Sequence, residues 1–157
     1  MSKPRKQKWK KGDYFTMPLL DGTFSLGQII EIEPQALNSA ICAYFARRAN
    51  DFSLGVAREL GKNDVVSVLF VTRDLLDSGD WRVFSEGKAI DATQYFPLDD
   101  LRRKGFVGTK VIGSGIANTL MNAYYGLHAW NSFHKPDYLD GLLVAPDRKP
   151  KSVMLKP

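Results

Sequence analysis

WKKGDYFTMPLLDGTFSLGQIIEIE, Trp9 to Glu33, decides the fold. Two runs of strand-favouring residues, 14–20 and 23–33, flank Asp21-Gly22, a dipeptide that accommodates positive φ at both centres of a type I′ turn. A hairpin follows, and a two-residue turn sets its register. Leu19 then opposes Phe24, Met17 opposes Leu26 and Phe15 opposes Gln28, with Ile30 and Ile32 continuing that face. Tyr14, Thr16, Pro18, Ser25, Gly27 and Glu31 make the other face. Pro18 cannot donate to a ladder and Gly27 weakens a strand interior, so together they imply a bend or bulge and an edge position. A bent sheet that curls over an apolar face begins a partial barrel.

Outward from the hairpin, Pro34 and Asn38-Ser39 break the chain before ICAYFARR, 41–48, which is apolar on both faces and reads as a buried third strand. In 49–63, Phe52, Val56 and Leu60 suggest a loop with a turn or two of helix. Val65 to Thr72 is rich in β-branched residues and predicts a central strand. Thr72 is placed to cap a short helix that Gly79 stops, and Trp81 to Phe84 is a brief strand. Pro97 opens LDDLRRKG, whose acids precede its bases as a helical turn prefers. Phe106 to Ile112 predicts another strand. After it, Ser114 caps and Gly126 ends the principal helix, in which Ile116, Leu120, Ala123 and Leu127 share a face. The expectation is an α+β fold: a curled antiparallel sheet forming a partial barrel, with one main C-terminal helix.

At 157 residues the chain suits one domain burying roughly 70% of its unfolded surface. The expected division is a basic flexible lead-in over 1–8, a single domain over 9–149 and a basic flexible tail over 150–157. A single cysteine, Cys42, excludes a disulfide framework and suits a reducing cytoplasm. No apolar run approaches the ~18 residues of a membrane span, and no signal-peptide core follows the basic start. The expected protein is therefore cytoplasmic and makes no membrane contact. The net charge of +5 is unevenly spread. Residues 1–11 hold six Lys/Arg and 148–157 hold four, both without acids, which leaves 12 Lys/Arg against 17 acids between them, a formal charge of −5. Such a body repels phosphate and attracts a basic protein, while the ends are solvated tails.

Candidate chemistry is thin. VIGSGIAN places glycines between a strand and a helix, but it lacks the third glycine of a dinucleotide fingerprint and reads as a tight turn into a capped helix. His128 and His134 are the only histidines. Their spacing, even with Asp137 and Asp140 nearby, is not that of a zinc set, so no metal or cofactor is expected. Ser114 and Ser132 stand in no G-x-S-x-G elbow, Cys42 lies in a buried strand, and Asp99-Asp100 suit a helix start better than a catalytic pair. The aromatic segment containing Tyr124, Tyr125, Trp130, Phe133 and Tyr138 wraps back over the sheet. A surface subset would make a protein-binding patch, for which Asn118, Asn122, Tyr125, His128 and Trp130 are the candidates.

KKGDYFTMPLLDGTFSLGQIIEI, VLFVTRDLLDSGDWRVF and GTKVIGSGIANTLMNAYYGLHAW with PDYLDGLLV, in that order, resemble the immunity protein 26 family of bacterial polymorphic-toxin systems. The matching positions include Trp9, Gly12, Asp13, Pro18, Asp21, Gly22, Gly27, Ser78, Gly79, Trp81, Gly113, Ser114, Gly115, Asn122, Ala123, Tyr124 and Trp130. Most are turn glycines and core aromatics, and they carry no catalytic set. The resemblance implies a non-enzymatic α+β protein that protects its producer by binding a cognate toxin, and the acidic body suits a basic toxin such as a nuclease. Where the family pattern often has an acid after the tryptophan, this chain has Asn131. The alternative is a nucleic-acid-binding module that uses the basic ends and exposed aromatics.

Overall fold

The computed structural model describes residues 7–52 and 60–157. The expected helical turn at Val56 and most of the lead-in over 1–8 lie outside them. Strands β1 (Asp13–Pro18), β2 (Phe24–Glu33), β3 (Ser39–Ala49), β4 (Val65–Val71), β5 (Arg82–Glu86) and β6 (Val111–Ile112) form one sheet in the order β5-β1-β2-β3-β4-β6. All pairings are antiparallel except β4 with β6. Helices α1 (Asp74–Ser78), α2 (Leu98–Arg103) and α3 (Ser114–Tyr124) follow the first four strands. The α+β class and the opening hairpin are as expected, but the curled partial barrel is not. The sheet stays open, with β5 and β6 as its outer strands.

The hairpin register is also corrected, by one residue. The Gly22 N–H donates to the Leu19 carbonyl at 3.1 Å, and the Leu19 N–H donates to the Thr23 carbonyl at 2.8 Å. The loop is therefore Leu20-Asp21-Gly22, and within it only Gly22, at φ +87°, is left-handed. Asp21 favours this three-residue form, because its carboxylate accepts from both the amide and the hydroxyl of Thr23, at 3.1 and 2.6 Å. Phe15 consequently faces Gly27 and Met17 faces Ser25. That slip sends Leu26 and Ile30 to the opposite face from Phe15 and Met17. Alternation could not choose the register because both faces are buried.

One face packs Phe15, Met17, Ile29, Cys42 and Tyr44 beneath α1, α3 and the segment from Trp130 to Leu142. The other packs Tyr14, Leu26, Ile30, Phe45 and Phe70 against Phe52 and the stretch from Phe84 to Phe106. On this second face, in line with Leu26 and Ile30, Gln28 is fully buried. Its amide donates to the Gly12 and Lys88 carbonyls at 3.3 and 3.0 Å and accepts from the Ile90 N–H at 3.3 Å, which pins the 87–90 strap to β2.

Gly27 does not make a bulge. A Cβ there would lie 2.4 Å from the Phe15 ring, so the glycine is the space that ring occupies. Phe15 stacks on Trp81 at 4.9 Å and 9°, and Tyr44 meets the same indole edge-on at 5.8 Å. Pro18 lies beyond the β1–β5 pairing, which ends at Thr16, so its missing N–H costs no ladder bond.

Two further expectations fail. Thr72 does not cap α1; its hydroxyl accepts from the Ser114 N–H at 3.0 Å and so caps α3 across the fold. Ser114 therefore stands inside the helix, with Gly113 as its N-cap. Phe106 to Ile112 is strand only at its last two residues. Left-handed Gly105, Phe106 and Gly108 turn the chain first, which drops Phe106 into the second core. The helix stops are as expected. Gly79 ends α1 at φ +86°, and Gly126 ends α3 with the Leu127 N–H returning to the Asn122 carbonyl at 2.8 Å. Within 150–157, expected as a basic flexible tail, the Met154 carbonyl accepts the Trp130 N–H and the Lys156 N–H donates to the Asn131 side chain.

The paired left-handed turn expected at Asp21-Gly22 occurs instead at Leu37-Asn38, with φ of 54° and 53° and the Ser39 N–H donating to the Ala36 carbonyl at 3.1 Å. Leu37 is 82% exposed, so no burial offsets the Cβ strain of its conformation.

Two stability measurements check this account. Gly27→Ala should cost about 1–3 kcal/mol in urea unfolding, and measurably less when Phe15→Leu removes the ring it strikes. Leu37→Asn, which tolerates the left-handed region, should gain about 0.5–1 kcal/mol by the same assay.

Candidate functional site

The sequence candidates divide between core and surface. Trp130 is 1% exposed and packs in the first core, with its indole N–H 3.4 Å from Asp140 and Lys149 over its ring, so it supports the surface and does not form it. Asn118 accepts the Trp81 indole N–H at 2.8 Å. Asn122, one helical turn on, donates to the Asn118 carbonyl at 2.9 Å and accepts the Leu20 N–H at 2.8 Å. Both asparagines are structural keys: Asn118 holds Trp81 against α3, and Asn122 holds the β1–β2 loop there. His128 is half-buried, and its Nδ1 lies 3.0 Å from the Ala129 carbonyl, an acceptor to which it donates.

Tyr125 is where the candidates meet the surface. Its hydroxyl donates to the Phe45 carbonyl at 3.3 Å and lies 3.4 Å from the Ser25 hydroxyl, and burial pushes its pKa up to about 12. The phenol is thus a fixed neutral donor. Arg48 lies over its ring at 5.4 Å, pairs with Asp21 and donates Nε to the Thr23 hydroxyl at 3.0 Å. Tyr124 meets Tyr125 edge-on at 5.1 Å. Leu20 stands on the loop that Asn122 holds, 69% exposed. The result is a preorganised corner of Leu20, Asp21, Arg48, Tyr124 and Tyr125, whose aromatic and arginine groups are those that carry binding energy at interfaces. Leu20 and Arg48 were missed as candidates. Their signals were an apolar residue within a hairpin loop and the second of the two arginines that follow the apolar run of β3.

The other matched positions are structural. The Trp9 indole N–H donates to Asp77 at 2.8 Å beneath the Arg73 guanidinium, which lies 4.6 Å from its ring. A Cβ on left-handed Gly12 would meet the Gly87 carbonyl oxygen at 2.5 Å. Asp13, 3% exposed, accepts from the Lys10 amide and ammonium at 2.9 and 3.0 Å. Gly113, Ser114 and Gly115 open α3, and the Ser114 hydroxyl donates to Asp74 at 2.7 Å. The Thr72 and Ser114 hydroxyls hold the Asp74 carboxyl below the usual carboxylate range. Ser114 is thereby committed to a helix junction with no histidine beside it. Cys42 is fully buried, which pushes its thiol pKa far up and away from nucleophilic use. Asp99 and Asp100 open α2, where Asp100 pairs with Arg103. Among the described residues no group of three His, Cys, Asp or Glu side chains is placed to hold a metal ion, and no helix is long and apolar enough to cross a membrane.

Comparison with protein-family models, curated proteins and solved structures finds no match to this chain.

Asn122→Ala removes the acceptor for the Leu20 amide and should cost about 1–3 kcal/mol. Amide exchange at Leu20 should accelerate while that of β4 is unchanged relative to global stability, which hydrogen–deuterium exchange resolves.

Proposed function

We propose that the protein is a cytoplasmic, non-enzymatic immunity protein that binds and neutralises a cognate bacterial toxin, with the corner of Leu20, Arg48, Tyr124 and Tyr125 in the contact. The observation that carries the proposal is this corner. It joins an exposed apolar anchor, an arginine and two tyrosines, all held by hydrogen bonds and ring contacts before a partner arrives. Such preorganisation lowers the entropy cost of association. The body charge of −5 between basic ends supports a basic partner, nucleases being one class, because opposite fields speed encounter and suppress wrong partners. The order of the three sequence blocks that resemble immunity protein 26 supports the same reading. The nucleic-acid alternative calls for free basic ends, and the backbone ties at Met154 and Lys156 count against it for the C-terminal one.

The test is capture from the source bacterium through high-salt washes, followed by expression of the captured protein alone and with this chain. The expected result is a near-stoichiometric partner that kills alone and is harmless in co-expression. Arg48→Ala and Leu20→Asp should each weaken the complex by about 10- to 100-fold without unfolding the protein. Equal death with and without this chain overturns the proposal. Nucleic acid that elutes at modest salt, as the only partner, turns the reading to the basic ends.

A further inference from the structure

A cavity of about 750 Å³ opens beside β4, and it shares no residue with the corner described above. Val68, Phe70 and Ile112 form its floor. Phe96, Leu101, Tyr138, Leu142 and Val144 also line it, together with Lys110 and Lys135. Volume and apolar lining are those of a ligand site.

The floor is an incomplete sheet edge. On the side of β4 away from β3, the Val66 carbonyl accepts the Val144 N–H at 3.0 Å and the Thr72 N–H donates to the Ile112 carbonyl at 3.0 Å. Main-chain groups alternate sides along a regular strand, and β4 pairs regularly from Ser67 to Val71, so the N–H and C=O of Val68 face the same way as those of Phe70. Pairing with β6 starts only at Phe70, and among the described residues nothing bonds to Val68 on that side. A donor and an acceptor are thus directed into an apolar cavity, where unpaired main-chain groups are costly. The buried Thr109 hydroxyl beside them also lacks a partner among the described residues.

The chemistry of an occupant follows. Paired main-chain groups on an open strand edge call for another main chain, and the apolar walls call for apolar side chains. Val144 closes the gap at one end and β6 at the other, about 13 Å apart at ~3.3 Å per residue, so a segment cannot run past and must end inside. Charge selects which end. The Lys110 ammonium lies 4.8 Å from the centre of the Tyr138 ring and has no carboxylate within salt-bridge distance among the described residues, while the two acids of the lining are already taken, Asp140 by Lys149 at 3.0 Å and Asp137 by Lys135 at 3.9 Å. A chain N-terminus would add a cation beside Lys110, whereas a C-terminus supplies the missing anion. We infer that the cavity binds the C-terminal residues of a partner polypeptide as a short strand paired at Val68, with its terminal carboxylate on Lys110. This site is independent of the neutralisation reading.

The test uses the full chain and a library of random hexapeptides displayed with free C-termini. Selection is for the wild-type protein and against Lys110→Glu, an exposed position where folding is unaffected. The expected result is enrichment of sequences with an apolar residue near the free end. A synthetic selected peptide should shift the Val68 amide resonance and slow its exchange, and both C-terminal amidation and Lys110→Glu should weaken binding at least about tenfold. The inference is overturned if no sequence is enriched, or if binding ignores both amidation and the Lys110 variant. It is also overturned if laurate perturbs Val68 while no peptide does, since the cavity would then be a fatty-acid site.

Discussion

The Phe15 ring lies across the bare backbone of Gly27 and stacks on Trp81, and the placement of most other elements follows from that contact. An aromatic pressed flat on a strand brings the next ring within stacking distance, so Trp81 reaches the sheet without a gap. Burying an indole completely requires a partner for its N–H, and Asn118 supplies it. That bond sets the rotation of α3, and the same helix face one turn later aims Asn122 at Leu20. Gln7 closes the other side, bonding the carbonyls of Leu76 and Trp81 and the Val83 N–H. A local steric vacancy in β2 thus fixes the loop that forms the proposed contact corner.

The second constraint is that the sheet is covered on both faces. A two-faced sheet must bury polar main chain and side chain wherever its covering segments cross it, and Gln28 shows the solution: one amide serving two acceptors and one donor. The same requirement explains why Asp13 and Ser67 are buried yet bonded, Ser67 to the Leu142 carbonyl. Where the covering chain falls short, at Val68, the requirement goes unmet and a cavity remains.

Two surfaces therefore stand out for different physical reasons. The corner is rigid, amphipathic and complete, with its tyrosine neutral and its arginine held. The β4 cavity is incomplete in main-chain partners and carries an uncompensated cation. A fold alone assigns neither of them a task, and both readings rest on the chemistry of the side chains and main chain at the site.

Strand runs, helix stops and the hairpin were legible in the sequence, because turn glycines and β-branched runs act within a few residues. Tyr125 was legible as a candidate from the cluster of aromatics at the end of the helix, although the Asn118–Asn122 stripe that it extends turns inward. Register was not legible. Asp21-Gly22 fits both a two-residue and a three-residue loop, and with apolar residues on both faces only the fit of Phe15 over Gly27, beneath Trp81, separates the two. Nor could sequence show that Thr72 would cap α3 in place of its own helix, that Asn118 and Asn122 would be bonded inward, or that β4 would keep an open residue. Sequence by itself determined most of the strand, helix and turn segments, residues 106–110 apart, and how charge divides between body and ends. Tertiary structure alone decided which face each side chain occupies and which polar groups remain unpaired, because those depend on contacts between residues up to about a hundred positions apart, such as Leu20 with Asn122.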